Sequence, residues 1–343
     1  MECNILYNMK EKNNKEKVSV IIPVYNVGQY IEQCIRSVQE QDYPNVEIVV
    51  VNDGSPDNSL EIIERLASED ERIVVVNKEN SGVSASRNVG IKSSTGEYLM
   101  FVDGDDFLAK DCVSYFMGLV KRTSSPFCIS LDWFIEKGQE QPKDDICIQY
   151  SAEDATALLL SPRVIVGSCN KIYAKTLFEE NNLSFCEDLF YGEGLQLITT
   201  LAQLVTTVGI GNRRVYYYRR NNYSSATTHL NIEKFYNGEK SLDMIETNLR
   251  IRTPKVLSMI EWHRTHFKVG ALVRLISAHK QNDYKEYYDG CIHYVRKHMK
   301  SCLKKRDLPF YNKAIILGCA ISPKLMAKLD DFRRQRIQAN SVS

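Results

Sequence analysis

The sequence predicts an α/β fold in which helices flank a mostly parallel, Rossmann-like sheet, followed by a mostly helical C-terminal region. Short β-branched runs alternate with segments of helical periodicity between residues 18 and 106. Because parallel strands are joined by right-handed helical crossovers, this alternation favours one continuous sheet. The chain of 343 residues is 43% apolar, which is enough for a large core and about two domains.

Four strands and three helices are predicted in order in this first part of the chain. Each strand is a short apolar run, and each helix repeats apolar residues every three or four positions. The strands are Val18–Pro23, Val46–Val51, Ile73–Val76 and Tyr98–Val102. The helices between them are Tyr30–Gln41, Ser59–Ala67 and Ser84–Ser93. The carboxyl ends of the four strands should therefore share one edge of the sheet.

The remaining chain is less regular up to residue 229 and mostly helical after it. We predict strands at Phe127–Trp133 and Val215–Tyr218, and helices at Asn170–Leu177 and Glu193–Ala202. The chain then divides into a polar N-terminal extension (1–17), a domain with two halves (18–125 and 126–229) and a helical C-terminal region (230–343).

Composition excludes several classes of protein. The net charge of +1 offers no basic surface for a nucleic acid. The first 17 residues lack the apolar core of a signal peptide, and no apolar run reaches the ~18 residues of a membrane span. The ten cysteines include no C-x-x-C pair, which argues against a zinc site, and Cys34, Cys112 and Cys128 read as buried thiols. These features predict a cytoplasmic protein.

Polar clusters follow three of the predicted strands. Tyr25-Asn26 follows the first strand, Asp53-Gly54-Ser55 the second, and Asp103-Gly104-Asp105-Asp106 the fourth. Ligands of parallel sheets bind beyond the carboxyl ends of the strands, so the three clusters indicate one crevice. Crowded carboxylates favour a hard cation such as Mn²⁺ or Mg²⁺, although Asp and Gly are also common turn formers.

The crevice lacks the glycine-rich loops of the common nucleotide folds. Neither G-x-G-x-x-G nor G-x-x-x-x-G-K-[ST] is present. A nucleotide could still bind, with Asp53 accepting a hydrogen bond from the base and Tyr25 stacking on it. The acids that follow the fourth strand could hold ribose hydroxyls and a metal-bridged diphosphate. Arg87 could reach a phosphate or orient one of the carboxylates.

Four motifs in order resemble the nucleotide-sugar-binding half of family-2 glycosyltransferases, which are inverting enzymes of the GT-A type. The motifs are VIIPVYN, VVNDGSPDNS, NSGVSASRNVG and YLMFVDGDD, all within Val18–Asp106. The resemblance implies that Pro23, Tyr25, Asn26 and Asp53 line the nucleoside pocket, while Gly82, Ser84 and Arg87 border the donor. It also implies that Asp103, Gly104 and Asp105 form the D-x-D motif, in which Asp105 binds Mn²⁺ or Mg²⁺. Asp106 then either supports these residues or caps a helix.

The catalytic base is where the chain departs from the family pattern. The family draws this base from a Glu-Asp pair that opens a helix after a glycine, and here the pair reads Glu193-Gly194. Glu193 is the first candidate, and Glu187-Asp188 is an alternative that also reads as a solvated loop pair. A weak or inactive member is the third interpretation. Lys171 could reach the acceptor or a phosphate, or could lie on the surface at a helix start.

The resemblance implies an enzyme that moves a sugar, UDP-linked in the donor, onto a glycan or lipid-linked glycan during cell-surface polysaccharide assembly. Arg219 or Arg220 could contact the diphosphate, or could be solvated. The basic segments Arg296–Arg306 and Phe332–Ile337 could bind an anionic membrane surface or cover the core as solvated helices. A carbohydrate-binding scaffold and a nucleotidyltransferase are the rival functions.

Overall fold

The computed structural model describes residues 16–134, 139–164, 166–219, 230–306 and 308–341, with side chains of the last helix described through residue 333. Its centre is an eight-stranded sheet in the order β3-β2-β1-β4-β8-β6-β9-β7. The strands of the first half are β1 (Val18–Val24), β2 (Val46–Asp53), β3 (Ile73–Lys78) and β4 (Tyr98–Phe101). The helices between them are α1 (Gly28–Gln39), α2 (Ser59–Glu69) and α3 (Val83–Ser93).

The first half is the parallel sheet that the sequence predicts. β1 lies between β2 and β4, and β2 lies beside β3, with every pair parallel. All residues of β1 and β2 are buried, as the continuous apolar runs indicate. The three helices begin and end within two residues of their predicted bounds. The carboxyl ends of β1, β2 and β4 therefore meet at one edge.

The rest of the chain up to residue 219 extends this sheet with strands of both directions and adds a separate two-stranded sheet. Its strands are β5 (Phe107–Leu108), β6 (Phe127–Ser130), β7 (Cys147–Ser151), β8 (Lys171–Ala174), β9 (Thr207–Gly211) and β10 (Tyr216–Tyr217). Its helices are α4 (Cys112–Thr123), α5 (Ala152–Leu159), α6 (Thr176–Glu179) and α7 (Glu193–Ala202). β6 and β10 are shorter than the predicted strands, and α7 has the predicted bounds.

The predicted helix at Asn170–Leu177 is wrong. Strand β8 occupies the first part of this segment and pairs antiparallel with both β4 and β6. Ile172 and Tyr173 are fully buried there, because pairing inside the sheet outweighs local helical periodicity. Lys171 is also fully buried, and its Nζ donates a hydrogen bond to the Cys169 carbonyl at 3.0 Å. The interpretation of Lys171 as a surface residue at a helix start is therefore wrong as well.

A separate two-stranded sheet brings a distant segment to the acidic motif, Asp103-Gly104-Asp105-Asp106. β5 directly follows Asp106 and pairs antiparallel with β10. The rings of Phe107 and Tyr217 stack across this pair, with 4.4 Å between centroids. This short pairing places Tyr216 and Arg219 beside residues that precede them by more than a hundred positions.

The C-terminal region is helical, as predicted. Its helices are α8 (Ile232–Thr247), α9 (Pro254–Ser277), α10 (Lys285–Lys304), α11 (Phe310–Ile321) and α12 (Pro323–Ser341). The main core continues into it through Leu242 and Val256, while Trp262 and Leu272 belong to a second core between the helices. Helix α9 thus joins the two cores. Within the described ranges, no helix has both the length and the apolar character that a membrane crossing requires.

Candidate functional site

Hydrogen bonds join the loops that follow β1 and β2. The backbone N–H of Gly28 donates to Asp57 Oδ2 at 2.7 Å, and the N–H of Asn26 donates to Ser55 Oγ at 3.3 Å. Asn26 adopts a positive φ of 56°, a conformation that Asn tolerates better than most residues. Tyr25 is 52% exposed beside this loop, whereas Pro23 is buried in β1. The structure therefore presents the Tyr25 ring at the predicted crevice.

Asp53 holds the turn that precedes α3. Its Oδ1 accepts from the backbone N–H of Ser81 at 2.9 Å, and its Oδ2 accepts from the N–H of Gly82 at 2.8 Å. Lys78 Nζ also pairs with Asp53, and the Asp53 side chain is only 4% exposed. Gly82, at φ 92°, provides the conformation that starts the helix. This bracing role of Asp53 was missed from the sequence, and its contact with a base stays a prediction.

Arg87 joins the two acidic candidates of the site. It lies on α3 with a side chain that is 7% exposed. One terminal nitrogen donates to Asp103 Oδ1 at 2.9 Å, and the other donates to Glu193 Oε1 at 2.8 Å. Burial lowers the pKa of Arg87, but the charges of Asp103 and Glu193 outweigh burial and raise it. The residues predicted to hold the leaving group and to accept the proton thus share one buried guanidinium.

Asp106 stabilises the acidic motif through buried hydrogen bonds and does not cap a helix. It is 2% exposed and accepts hydrogen bonds from the Tyr216 hydroxyl at 2.6 Å and the Arg219 backbone N–H at 2.8 Å. The next helix, α4, has Asp111 at its N-cap, so the capping interpretation of Asp106 is wrong. Burial, with the charges of Asp103 and Asp105, raises the pKa of Asp106 to about 8.

Arg219, two residues after the end of β10, stabilises the same motif. Its Nε donates to the Asp105 carbonyl at 2.7 Å, and its Nη2 donates to Gln33 Oε1 at 2.6 Å. Its guanidinium lies over the Tyr30 ring, 4.7 Å from the centroid. The interpretation of Arg219 as a solvated residue is therefore wrong, and the alternative, Arg220, lies outside the described residues.

Helix α3 links the two halves through its polar side chains. Ser84 Oγ donates to the Leu189 carbonyl at 3.2 Å, so Ser84 faces the second half of the sheet. Asn88 donates to the Phe185 carbonyl at 2.9 Å and accepts from the Phe185 N–H at 2.8 Å. The sequence signal was the run Ser84-Ala85-Ser86-Arg87-Asn88, whose polar residues are buried on every side of the helix. Buried polar groups at such density require specific partners.

Glu193 is the first residue of α7, and its position depends on close packing at two glycines. Gly192 precedes it at φ 85°, and the Ser241 hydroxyl donates to the Gly192 carbonyl at 2.7 Å. A Cβ on Gly194 would lie 2.9 Å from the Gly167 Cα. The family's aspartate therefore cannot be accommodated at position 194 unless the backbone at 167–168 moves.

The alternative candidates for the base, Glu187 and Asp188, make contacts elsewhere. Glu187 accepts a hydrogen bond from Asn88 Nδ2 at 2.9 Å, which ties it to the other face of α3. The Asp188 side chain is 84% exposed and lies 4.0 Å from Lys240 Nζ. Of the candidate bases, Glu193 is the one that shares Arg87 with the acidic motif.

The acidic motif fits a hard divalent cation. Asp103 and Asp105 are half-buried and present oxygen atoms only, which Mg²⁺ and Mn²⁺ prefer. Gly104 between them is buried, and a Cβ there would lie 3.2 Å from the Pro23 carbonyl oxygen. Among the described residues, no three His, Cys, Asp or Glu side chains group into a metal site by themselves. A cation here would need further oxygen ligands, and a donor diphosphate can supply them.

Comparison with known proteins identifies the part of the chain that carries Asp53, Arg87 and the acidic motif. Residues 19–180 match the family model for glycosyl transferase family 2. These residues form a family-2 glycosyltransferase domain. The match includes all four sequence motifs, and the acidic motif is part of the last of them. It confirms the resemblance stated from the sequence. Glu193 and Arg219 lie beyond its limit.

Several curated relatives cover more than half of the chain, among them EpsJ and TarS. The uncharacterized glycosyltransferase EpsJ of Bacillus subtilis (strain 168) is 33% identical over 216 residues, 60% of this chain and 61% of EpsJ. The poly(ribitol-phosphate) beta-N-acetylglucosaminyltransferase TarS of Staphylococcus aureus (strain MW2) is 30% identical over 228 residues, 64% of this chain and 39% of TarS. The chain therefore spans less than two thirds of the length of either relative.

Solved structures place the whole described fold in the GT-A class. Residues 1–349 of Staphylococcus aureus TarS, in complex with UDP-GlcNAc, match with a TM-score of 0.66 at 20% identity over 93% of this chain and 92% of that one. The mannosyltransferase PcManGT of Pyrobaculum calidifontis, in complex with GDP-Man and Mn²⁺, matches with a TM-score of 0.57 at 14% identity over 95% and 93%. The family-2 domain and its helical C-terminal region thus share a known architecture.

Proposed function

We propose that this chain transfers a sugar from a UDP-linked donor to a hydroxyl of a glycan or lipid-linked glycan, with inversion. The observation that carries the proposal is the Arg87 bridge between Asp103 of the D-x-D motif and Glu193. Arg87 pairs with both Asp103 and Glu193, so the proposed base would lie next to the acids that would face the donor. The UDP-GlcNAc in the TarS structure supports the choice of nucleotide.

In this proposal Glu193 is the general base. It accepts the proton of the acceptor hydroxyl while that oxygen bonds to the anomeric carbon. The bond from the anomeric carbon to the diphosphate breaks on the opposite face, and this inverts the configuration. Arg87 positions Glu193 against the donor site, because its two nitrogens hold both carboxylates at fixed separation.

The donor would lie along the strand ends. Pro23, Tyr25, Asn26 and Asp53 would border the nucleoside, and Gly82 would border the diphosphate. Ser84 would shape this border through its bond to Leu189. A divalent cation held by Asp105, beside Asp103, would act as a Lewis acid on the leaving diphosphate when bound.

Binding and turnover of nucleotide sugars test this proposal. We expect UDP-sugar with Mn²⁺ to raise the melting temperature and to be slowly hydrolysed, because a ligand of the folded state stabilises it. Asp105→Asn should weaken UDP binding in Mn²⁺ by about tenfold. Asp289→Asn, a change of an exposed acid on α10, is the matched control.

Two results would each contradict a different part of the proposal, the enzymatic activity or the metal ligand. If no nucleotide sugar is hydrolysed or transferred, the chain is a binding or scaffold protein. If Asp105→Asn binds UDP in Mn²⁺ as tightly as the unaltered protein does, Asp105 does not hold the metal.

We further propose a cytoplasmic location, with the C-terminal helices bound to an anionic membrane surface. Apolar side chains are exposed on α11 and α12: Phe310 (85%), Ile321 (71%), Leu325 (56%), Leu329 (53%) and Phe332 (55%). Exposed lysines, including Lys324 and Lys328, lie among them. Apolar side chains beside basic ones are typical of interfacial helices.

Flotation with vesicles of anionic phospholipid tests the membrane proposal. Binding should be strongest at low salt, because the Debye length falls to about 10 Å at 0.1 M ionic strength. Leu325→Ser with Leu329→Ser should abolish binding, whereas Ile148→Ser, at an exposed apolar residue of β7, should leave it unchanged. Absence of binding at low salt would rule out this surface.

A further inference from the structure

A tyrosine from a distant strand contacts both ends of the acidic motif. Tyr216 lies in β10 opposite Leu108 of β5, and it is only 2% exposed. Its hydroxyl accepts a hydrogen bond from the Asp103 N–H at 3.3 Å and donates one to Asp106 Oδ2 at 2.6 Å. A hydroxyl group can accept and donate at the same time, so one side chain serves both contacts.

A third hydrogen bond closes these contacts into a ring. The Asp106 N–H donates to the Asp103 carbonyl oxygen at 2.9 Å and forms the turn of the motif. The ring therefore runs from the Asp103 backbone through Tyr216 to the Asp106 side chain, and back through the Asp106 backbone. Asp103 cannot shift relative to Asp106 unless one of these hydrogen bonds breaks, and breaking a buried hydrogen bond is unfavourable.

The turn that this ring fixes carries the acids that would face the donor. The Asp103 carboxylate pairs with Arg87, and the Asp105 carbonyl accepts from Arg219 Nε at 2.7 Å. Tyr216 adds the contact to the Asp103 backbone. A metal site binds well only when its ligands are held close to their final positions, and outer contacts that orient them change metal affinity by about 10- to 100-fold.

We propose that Tyr216 is a positioning residue for the divalent cation, because its hydroxyl holds the turn from Asp103 to Asp106 in the conformation that binds the cation with the donor diphosphate. The proposal rests on the proposed function, in which Asp105 holds that cation. Tyr216 lies beyond residue 180, where the match to the family model ends. The site therefore depends on a residue outside the matched domain.

Tyr216→Phe tests this role, because it removes the hydroxyl and keeps the buried ring. The affinity for UDP is measured by calorimetry, once with Mn²⁺ and once with EDTA. We expect Tyr216→Phe to weaken UDP binding at least tenfold in Mn²⁺ and less than twofold in EDTA, since the nucleoside would lie along the ends of β1 and β2. A tyrosine that only stabilised the fold would not separate the two conditions.

Tyr115→Phe is the matched control. Tyr115 is 8% exposed on α4, and its hydroxyl accepts from the Arg213 N–H at 3.1 Å. The control therefore also removes a phenol hydroxyl from a backbone N–H, but it does so outside the acidic motif. We expect both UDP affinities to remain unchanged in Tyr115→Phe.

Asp106→Asn provides a second test of the ring, also where Tyr216→Phe does not fold. The two Asp106 oxygens accept from the Tyr216 hydroxyl and from the Arg219 N–H, and with an amide one of these donors would face an NH₂ group. Asp106→Asn should therefore weaken UDP binding in Mn²⁺ as well. Tyr216→Phe should cost less affinity in the Asp106→Asn protein than alone, because both changes act on the same bond.

The outcomes separate this proposal from the transferase proposal. Unchanged UDP binding in Mn²⁺, or an equal loss in Mn²⁺ and EDTA, overturns the positioning role of Tyr216 even when donor turnover is normal. An equal loss in Tyr115→Phe overturns it too, and so does a failure of Mn²⁺ to tighten UDP binding to the unaltered protein. The expected split supports the positioning role, even in a protein that transfers no sugar.

Discussion

Arg87→Ala should reduce transfer by about 100-fold or more and lower the free energy of unfolding by about 3–5 kcal/mol. The substitution leaves Asp103 and Glu193 next to each other without the buried cation that separates them. Glu193 is only 14% exposed, so water cannot replace the guanidinium fully. Urea unfolding and donor turnover measure the two effects.

Two control variants show whether the effects of Arg87→Ala depend on the buried, two-sided bridge or only on the loss of a positive charge. Arg87→Lys keeps the charge but presents one nitrogen, so it should restore stability more than turnover. Arg65→Ala removes an exposed arginine that also joins two carboxylates, Glu32 and Glu69, and should cost at most about 1 kcal/mol. Equal destabilisation by Arg87→Ala and Arg65→Ala would show that burial of the bridge contributes nothing.

Glu193→Gln should lower kcat for transfer by about 100- to 10,000-fold, the usual contribution of a general base. Glutamine is similar in size and can still accept a hydrogen bond from Arg87, but it cannot take the acceptor proton. Binding of the UDP-sugar should change little, because the donor site lies on the other side of the bridge. Single-turnover transfer and a donor titration measure these two quantities.

Glu187→Gln is the matched control for Glu193→Gln. It removes the same charge from an acid that bonds to Asn88 and does not touch Arg87. Full transfer by Glu193→Gln would remove Glu193 from the mechanism. Loss of transfer in Glu187→Gln, with transfer retained in Glu193→Gln, would assign the base to Glu187.

Regular elements could be predicted where local pattern and packing agree. β1 and β2 are buried on both faces, so their continuous apolar runs identified them, and α7 was predicted with its observed bounds. Lys171–Ala174 could not be assigned in this way, because it is a strand only through its pairing with β4 and β6. Its four residues carry too little local preference to decide between helix and strand.

Local residue patterns were sufficient to predict the parallel sheet, the edge at which its strands end and the four motifs of the family-2 domain. Alternating apolar periodicity specifies these features locally, and parallel pairing aligns the strand ends. Three-dimensional packing alone brings Arg87 between Asp103 and Glu193 and joins Asp106 to Tyr216. These contacts join residues up to 110 positions apart, and a hydrogen bond or ion pair depends on final separation and burial, which local pattern does not contain.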